Sequence, residues 1–246
     1  MKVAILIDGG YFLKKYGPKQ LKQENNKSEY IDSAAEDTNN TVKYLIEHHL
    51  NKINKNYCLF SVENQNALLY RCFYYDATPY PKKGHSPIEK KAIDFSKTVH
   101  AKFRLAFFDR LQRNPNFAVR LGEVKLEHSG RLWVLKEEAQ KDILNKTRQV
   151  TDLKDDDFAP GFRQKAVDMR IGIDIASIAL KKQADIIVLV TGDSDFVPAA
   201  KLARTEGVRF IIDSLGQKVD NTLLEHIDDL WHGLGANKPD ANKPND

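Results

Sequence analysis

DIIVLVTGDSDFVPAAKLARTEGVRFIIDSL, residues Asp185–Leu215, decides how this chain is read. Five apolar residues, Ile186 to Val190, run straight into Thr191, Gly192 and the acidic pair Asp193 and Asp195. Pro198 then opens a helical pattern that Gly207 closes. A run apolar at every position fits a strand covered on both faces, as in a parallel α/β sheet. Open α/β sheets place their ligands at the loops on the carboxyl ends of such strands. Gly192 permits a sharp turn, and Ser194 or Asp195 is positioned to cap the helix that carries Pro198 in its first turn. Two carboxylates on so compact a turn repel. At about 4 Å and an effective dielectric near 20, such a pair costs on the order of 4 kcal/mol, which a divalent cation would relieve.

The same logic recurs at the amino end. Lys2–Ile7 (KVAILI) is a short apolar run ending in Asp8, Gly9 and Gly10, after which Tyr11, Phe12 and Leu13 begin a helix. If the two strands are parallel neighbours, Asp8 and Asp193 share one crevice. Taken alone, Asp8 reads first as a helix cap. Gly161–Lys182 supplies further acids. Val167, Ile171, Ile175, Ile178 and Ala179 mark the buried side of a helix, with Asp168 inside that arc and Asp174 at its edge. A buried carboxylate needs a lysine, backbone donors or a metal.

Composition limits the remaining choices. The chain has 246 residues, enough for a single large α/β domain over 1–235 followed by a disordered tail, 236–246. Hydrophobic residues are 41% and charged residues 29%, and no apolar run approaches the roughly 20 residues of a membrane span. The opening MKVAILIDGG turns acidic too early for a secretory signal, so a cytoplasmic location is expected. Two cysteines, Cys58 and Cys72, offer no zinc spacing. The net charge of +4 is only mildly basic. Clustering is more telling. Tyr80, Lys82, Lys83 and His85 lie on a Pro- and Gly-punctuated loop after the aromatic run Ala67–Tyr75, a mixture that suits single-stranded nucleic acid as well as an ordinary solvated loop.

Between these stretches the patterns predict a surface excursion or lid within 14–60, relieved by a helix over Thr41–Ile53. His48 and His49 on that helix read as packed or solvated, not as ligands. A long helix is expected over Ile88–Arg113. A hairpin of Phe117–Glu127 with Arg131–Lys136 would follow at the sheet edge, then an acidic linker over Asp152–Pro160 and a closing helix over Thr222–Leu234.

Three blocks, ILIDGGYF, RQKAVDMRIGIDIA and IIVLVTGDSDFVPAAKLARTEGVRFIID, occur in the order found in the NYN-domain family, LabA-like proteins included, and the chain resembles that branch of the PIN-like nuclease superfamily. The resemblance implies a mostly parallel central sheet with helices on both faces. It also implies clustered acids that hold Mg²⁺ or Mn²⁺ and hydrolyse RNA phosphodiesters. Carried over by motif, Asp8, Asp168, Asp193 and Asp195 match the acidic positions, and Asp174 is a second-tier ligand. Tyr11 stands where many members have Asn. Thr191 and Ser194 would orient phosphate oxygens, with Tyr11, Tyr80, Lys82 and Lys83 as further substrate contacts. The implied activity is a metal-dependent endoribonuclease acting on single-stranded RNA. Its rival is a non-catalytic RNA-binding or regulatory module with a vestigial pocket. A hydrolase of small phosphate esters ranks lower, because neither IDGGY nor GDSDF supplies an Asp-x-Asp at the first strand's end. No membrane partner is expected, and the sequence leaves a homo-oligomer open.

Overall fold

A computed structural model describes residues 1–19, 21, 27–56, 68–127 and 130–235. The chain opens with β1 (Val3–Asp8), α1 (Gly9–Tyr16), α2 (Ser28–Asn56) and β2 (Leu69–Thr78). A small hairpin of β3 (Lys83–His85) and β4 (Ala92–Asp94) precedes α3 (Val99–Gln112) and β5 (Phe117–Leu126). Next come β6 (Trp133–Leu135), α4 (Glu137–Leu144), β7 (Phe158–Pro160), β8 (Phe162–Lys165) and α5 (Val167–Leu180). The last elements are β9 (Ile186–Val190), α6 (Val197–Thr205), β10 (Arg209–Asp213), α7 (Asn221–Leu224) and β11 (Asp229–Trp231).

Among the described residues, seven strands form the main sheet in the order β11-β10-β9-β1-β2-β5-β8, parallel except for β8 at the edge. Strand alternation explains the layers. Val3, Ile5 and Ile7 face a core shared with α1, α2 and α3, whereas Ala4 and Leu6 face a second core under α5 and α6. β9 is buried at every residue because helices cover both faces. No helix among the described residues is long and apolar enough to cross a membrane.

Several expectations are corrected. Residues 28–40 are not a lid: α2 covers them and buries Ile31, Ala34, Ala35, Thr38 and Asn39. Their small and polar side chains hid the helical stripe, since Thr38 turns its hydroxyl back to the Ala34 carbonyl (2.7 Å) and Asn39 accepts from Asn114 (2.8 Å). The helix expected from Ile88 starts only at Val99, where Thr98 caps it through the Ala101 N–H. The sheet does gain an antiparallel edge, but β5 pairs there with β8; Arg131–Lys136 contributes β6, which pairs with β7. Ser129 and the tail 236–246 lie outside the described residues. The acidic segment before Pro160 is also tied down. Arg148 grips Asp157 with two N–H groups (2.8 and 2.6 Å), and Asp155 accepts from the Ile88 N–H. The closing helix reduces to α7, and Trp231 sits in β11.

Of the histidine pair, His49 is packed. Its Nε2 lies 2.6 Å from Asp213 Oδ2, both side chains are fully buried, and the Trp231 ring stands 5.3 Å away. Burial pushes the Asp213 carboxyl up, but the His49 hydrogen bond and the N–H groups of Leu215 and Gly233 outweigh it and hold the group below the usual range. Removing one partner strands the other in the core. We expect His49→Ala to lower unfolding free energy by about 3–5 kcal/mol, read from urea unfolding; a loss below about 1 kcal/mol would mean that water compensates Asp213.

Candidate functional site

Pairing of β1 with β9 in the register Ile7↔Val190, and with β2 in the register Asp8↔Tyr75, sets Asp8 level with the TGDSD loop at the carboxyl ends of the central strands. Asp8 follows Ala4 and Leu6 toward the α5 side. Its Oδ1 also accepts from the Tyr11 N–H (3.1 Å), so it caps α1 as well as facing the crevice. Burial pushes its carboxyl up to about 6, reinforced by the charges of Asp168 and Asp76 against the opposing Tyr11 and Gly10 N–H groups.

Asp168 stands in the first turn of α5. It is exposed, contrary to the buried arc expected for it, since α5 starts only at Val167, after Ala166 in a left-handed conformation (φ 64°), and leaves it at the helix's open end. Partial burial raises its carboxyl, and the charges of Asp193 and Asp195 raise it further while Arg163 opposes them. Asp168 therefore stands between Asp8, whose carboxyl feels its charge, and the Asp193–Asp195 turn, although these positions are far apart in the chain. The cap of the GDSD turn is Asp193, which accepts from the Asp195 N–H (2.9 Å), and not Ser194 or Asp195. Asp195 keeps an exposed carboxylate.

The remaining expected residues divide. Asp174 is engaged elsewhere: Tyr75 donates to it (2.8 Å) and Arg120 pairs with it at 3.4 Å. Thr191 is fully buried, and its hydroxyl accepts from the Asp193 N–H (3.3 Å), so it builds the loop. Ser194 is half-buried on the same turn. Tyr11 donates to the Ser214 carbonyl (2.6 Å), and a Cβ on Gly192 would come within 2.8 Å of the Tyr11 hydroxyl. Glycine at 192 is thus required by the ring that crosses it. Nearby, Tyr16 accepts from the Leu234 N–H (3.2 Å). Burial and the charges of Asp213 and Asp8 push the Tyr11 phenol up to about 12. Lys82 and Lys83 are exposed and Tyr80 is half-buried, all beyond the end of β2.

Asp76 was not expected. It sits inside β2, fully buried, and its Oδ1 takes bonds from Arg104, from Gln164 (2.9 Å) and from the Ala77 N–H (2.7 Å), while Oδ2 has no partner. Alternation turns it to the α3 side, where Arg104 is. Burial raises its carboxyl against the pull of Arg104.

Hard oxygen donors suit Mg²⁺ or Mn²⁺. Among the described residues no three His, Cys, Asp or Glu side chains form a ready-made cage. The donor set fits instead an ion held by one or two carboxylates that keeps much of its water, as Mg²⁺ usually does. Asp8, with its raised carboxyl, and Asp193 with Asp168 across the crevice are the residues that would hold it.

The sign of the Asp8 effect follows from linkage. A carboxyl raised from 3.8 to about 6 is best tolerated protonated, so the folded state gains stability as pH falls through about 6 toward 4 and loses it above. Without metal we expect Asp8→Asn to be more stable than wild type near pH 7, by up to about 3 kcal/mol. Most of the gap should close by about pH 4.5. Added Mg²⁺ should stabilise wild type and not the variant, in urea unfolding with and without EDTA.

The model of the NYN domain family matches residues 126–228, a segment that contains Asp168, Asp193 and Asp195 but neither Asp8 nor Asp76. No curated protein matches the chain. Among solved structures the chain is similar to a protein of unknown function, VPA0982, from Vibrio parahaemolyticus RIMD 2210633, at 13% identity and TM-score 0.41, covering 94% of this chain and 91% of that one. Sir2Tm bound to a propionylated peptide aligns at 13% identity and TM-score 0.30, covering 94% and 87%. Likenesses this low carry no argument. The family match covers less than half of the chain, and over residues 126–228 the chain is similar to the NYN domain family.

Proposed function

We propose that the crevice bounded by Asp8, Asp168, Asp193 and Asp195 hydrolyses internal phosphodiester bonds of single-stranded RNA with Mg²⁺ or Mn²⁺. The NYN family is generally a nuclease family, which supports the reaction class. The observation that carries the reading is the register of β1 on β9, which ends Asp8 and the TGDSD loop at one level at the carboxyl end of the parallel sheet, with Asp168 close enough to feel both. Structure without function has little reason to gather uncompensated carboxylates in one place, and perturbed groups in a cleft mark functional sites.

When bound, the ion lowers the pKa of a water and neutralises charge on the phosphate. The chain's own residues divide the remaining work. Asp193 and Asp168 present carboxylate oxygens at the crevice mouth, and the short turn after β9 fixes Asp193 through its cap to the Asp195 N–H. Asp8, poorly solvated at the end of β1, supplies a third carboxylate oxygen toward the ion, which would offset the cost of its buried charge. Asp195 adds charge from a second position on the turn. Tyr11 and Thr191 keep the two loops in register from behind, one bonded to Ser214 and the other to Asp193.

The test compares wild type with Asp193→Asn on labelled single-stranded RNA with Mn²⁺. We expect the variant to lose about two orders of magnitude in rate, the scale of several kcal/mol of charge stabilisation. EDTA should abolish cleavage. Equal rates, or indifference to EDTA, overturn the assignment, and salt-sensitive RNA binding without cleavage would point to a binding module.

A further inference from the structure

Beside the acids lies a second concavity that they do not line. It is a cavity of about 340 Å³ between the end of β2, the turn before α3, and β8. Tyr80, Phe95 and Phe162 form its walls, with the His100 imidazole beside them. Tyr80 and Phe162 stand 4.7 Å apart at 38°, and Phe95 meets Phe162 edge-on at 5.1 Å. Arg104 and Gln164 close its inner end, both bonded to Asp76.

Gln164 also joins the cavity to the acids. While its Nε2 donates to Asp76, its Oε1 lies 3.7 Å from the point where a Cβ on Gly10 would sit, and Asp8 Oδ1 is 3.4 Å from that same point. One side chain therefore separates the aromatic cavity from Asp8. On the other side, across Pro79, Tyr80 and Val124, a wider concavity of about 610 Å³ carries Lys82, together with Lys125 in an ion pair with Glu123 (3.1 Å).

The geometry points to a subsite for one unpaired base of the RNA strand, stacked against Tyr80 and Phe162, with the backbone passing over Lys82 and the neighbouring phosphate directed toward Asp8. The identity of the strand rests on the nuclease reading given above. The chemistry is that of single-strand recognition, in which aromatic faces take bases and lysines follow phosphates. The volume lies at the low end of small-molecule pockets, which span about 300–1,000 Å³, and admits one planar group and not a paired stack. Arg104 offers the cavity its N–H groups beyond the one spent on Asp76, so a base edge rich in acceptors is favoured. A strand seated this way enters single, because a base within a duplex is already paired and stacked.

Binding can be measured apart from cleavage. Fluorescence anisotropy of a labelled oligoribonucleotide is followed with the Asp193→Asn protein in Ca²⁺. The oligonucleotide is intact or carries one abasic position moved stepwise along it, and the protein is further varied as Tyr80→Ala or Tyr80→Phe. Thermal melting checks that each variant folds. We expect one abasic position to weaken binding about tenfold, the scale of one lost stack. Tyr80→Ala should cost about the same, Tyr80→Phe little, and the two losses together no more than either alone. Losses that multiply, an unaffected Tyr80→Ala protein, or no binding of RNA overturn the subsite. The two readings fail separately. A non-additive cycle in a protein that never cleaves keeps the subsite and removes the nuclease, whereas an additive cycle beside Asp193-dependent cleavage does the reverse.

Discussion

Parallel pairing of β1 between β9 and β2 is the constraint from which the site follows. Each strand is short and covered on both faces, so its backbone groups must be satisfied by its neighbours, and that fixes the register. Once Ile7 is opposite Val190, the next residue on one strand is Asp8 and the next on the other is Thr191, leading into Gly192 and Asp193. The acids meet because the hydrogen-bond ladder ends at the same level on both strands. α5 completes the arrangement from outside the sheet, since its start at Val167 puts Asp168 over that same end.

Two kinds of carboxylate result, and their environments separate their roles. Asp76 and Asp213 are fully buried and held by cationic or imidazole partners and backbone N–H groups. Asp168, Asp193 and Asp195 are exposed to the crevice and face one another. Asp8 stands between the two classes, capping a helix on one side and feeling Asp168 on the other. A group in that position is poorly solvated yet lacks a full counter-charge, which is why its carboxyl is displaced.

What the sequence disclosed depended on whether the pattern was carried by large apolar residues. β1 and β9, with their acid-bearing turns, were legible because each is an unbroken apolar run, ending at Asp8 in one and at Thr191–Gly192 in the other. The first half of α2 was not, because Ala34, Ala35, Thr38 and Asn39 bury small or polar surface. Asp76 lies just beyond the aromatic run Ala67–Tyr75, but β2 continues through Thr78 and places it inside the strand. Trp231 suggested a closing helix, but the chain there adds a parallel edge to β10 in the register Asp213↔Trp231. Pairing with a distant strand leaves no local trace for periodicity to find. The same holds for the partner of β5, which proved to be β8 and not the segment that follows it in sequence.

Two tyrosines of α1 reach across to the far end of the polypeptide, Tyr11 to the Ser214 carbonyl and Tyr16 to the Leu234 N–H. The first and last described segments are thereby stitched together over the floor of the crevice. Trimming the chain back past Leu234 would loosen a clasp, and the slack would be felt at Gly192, beneath the Tyr11 ring, long before the sheet itself came apart.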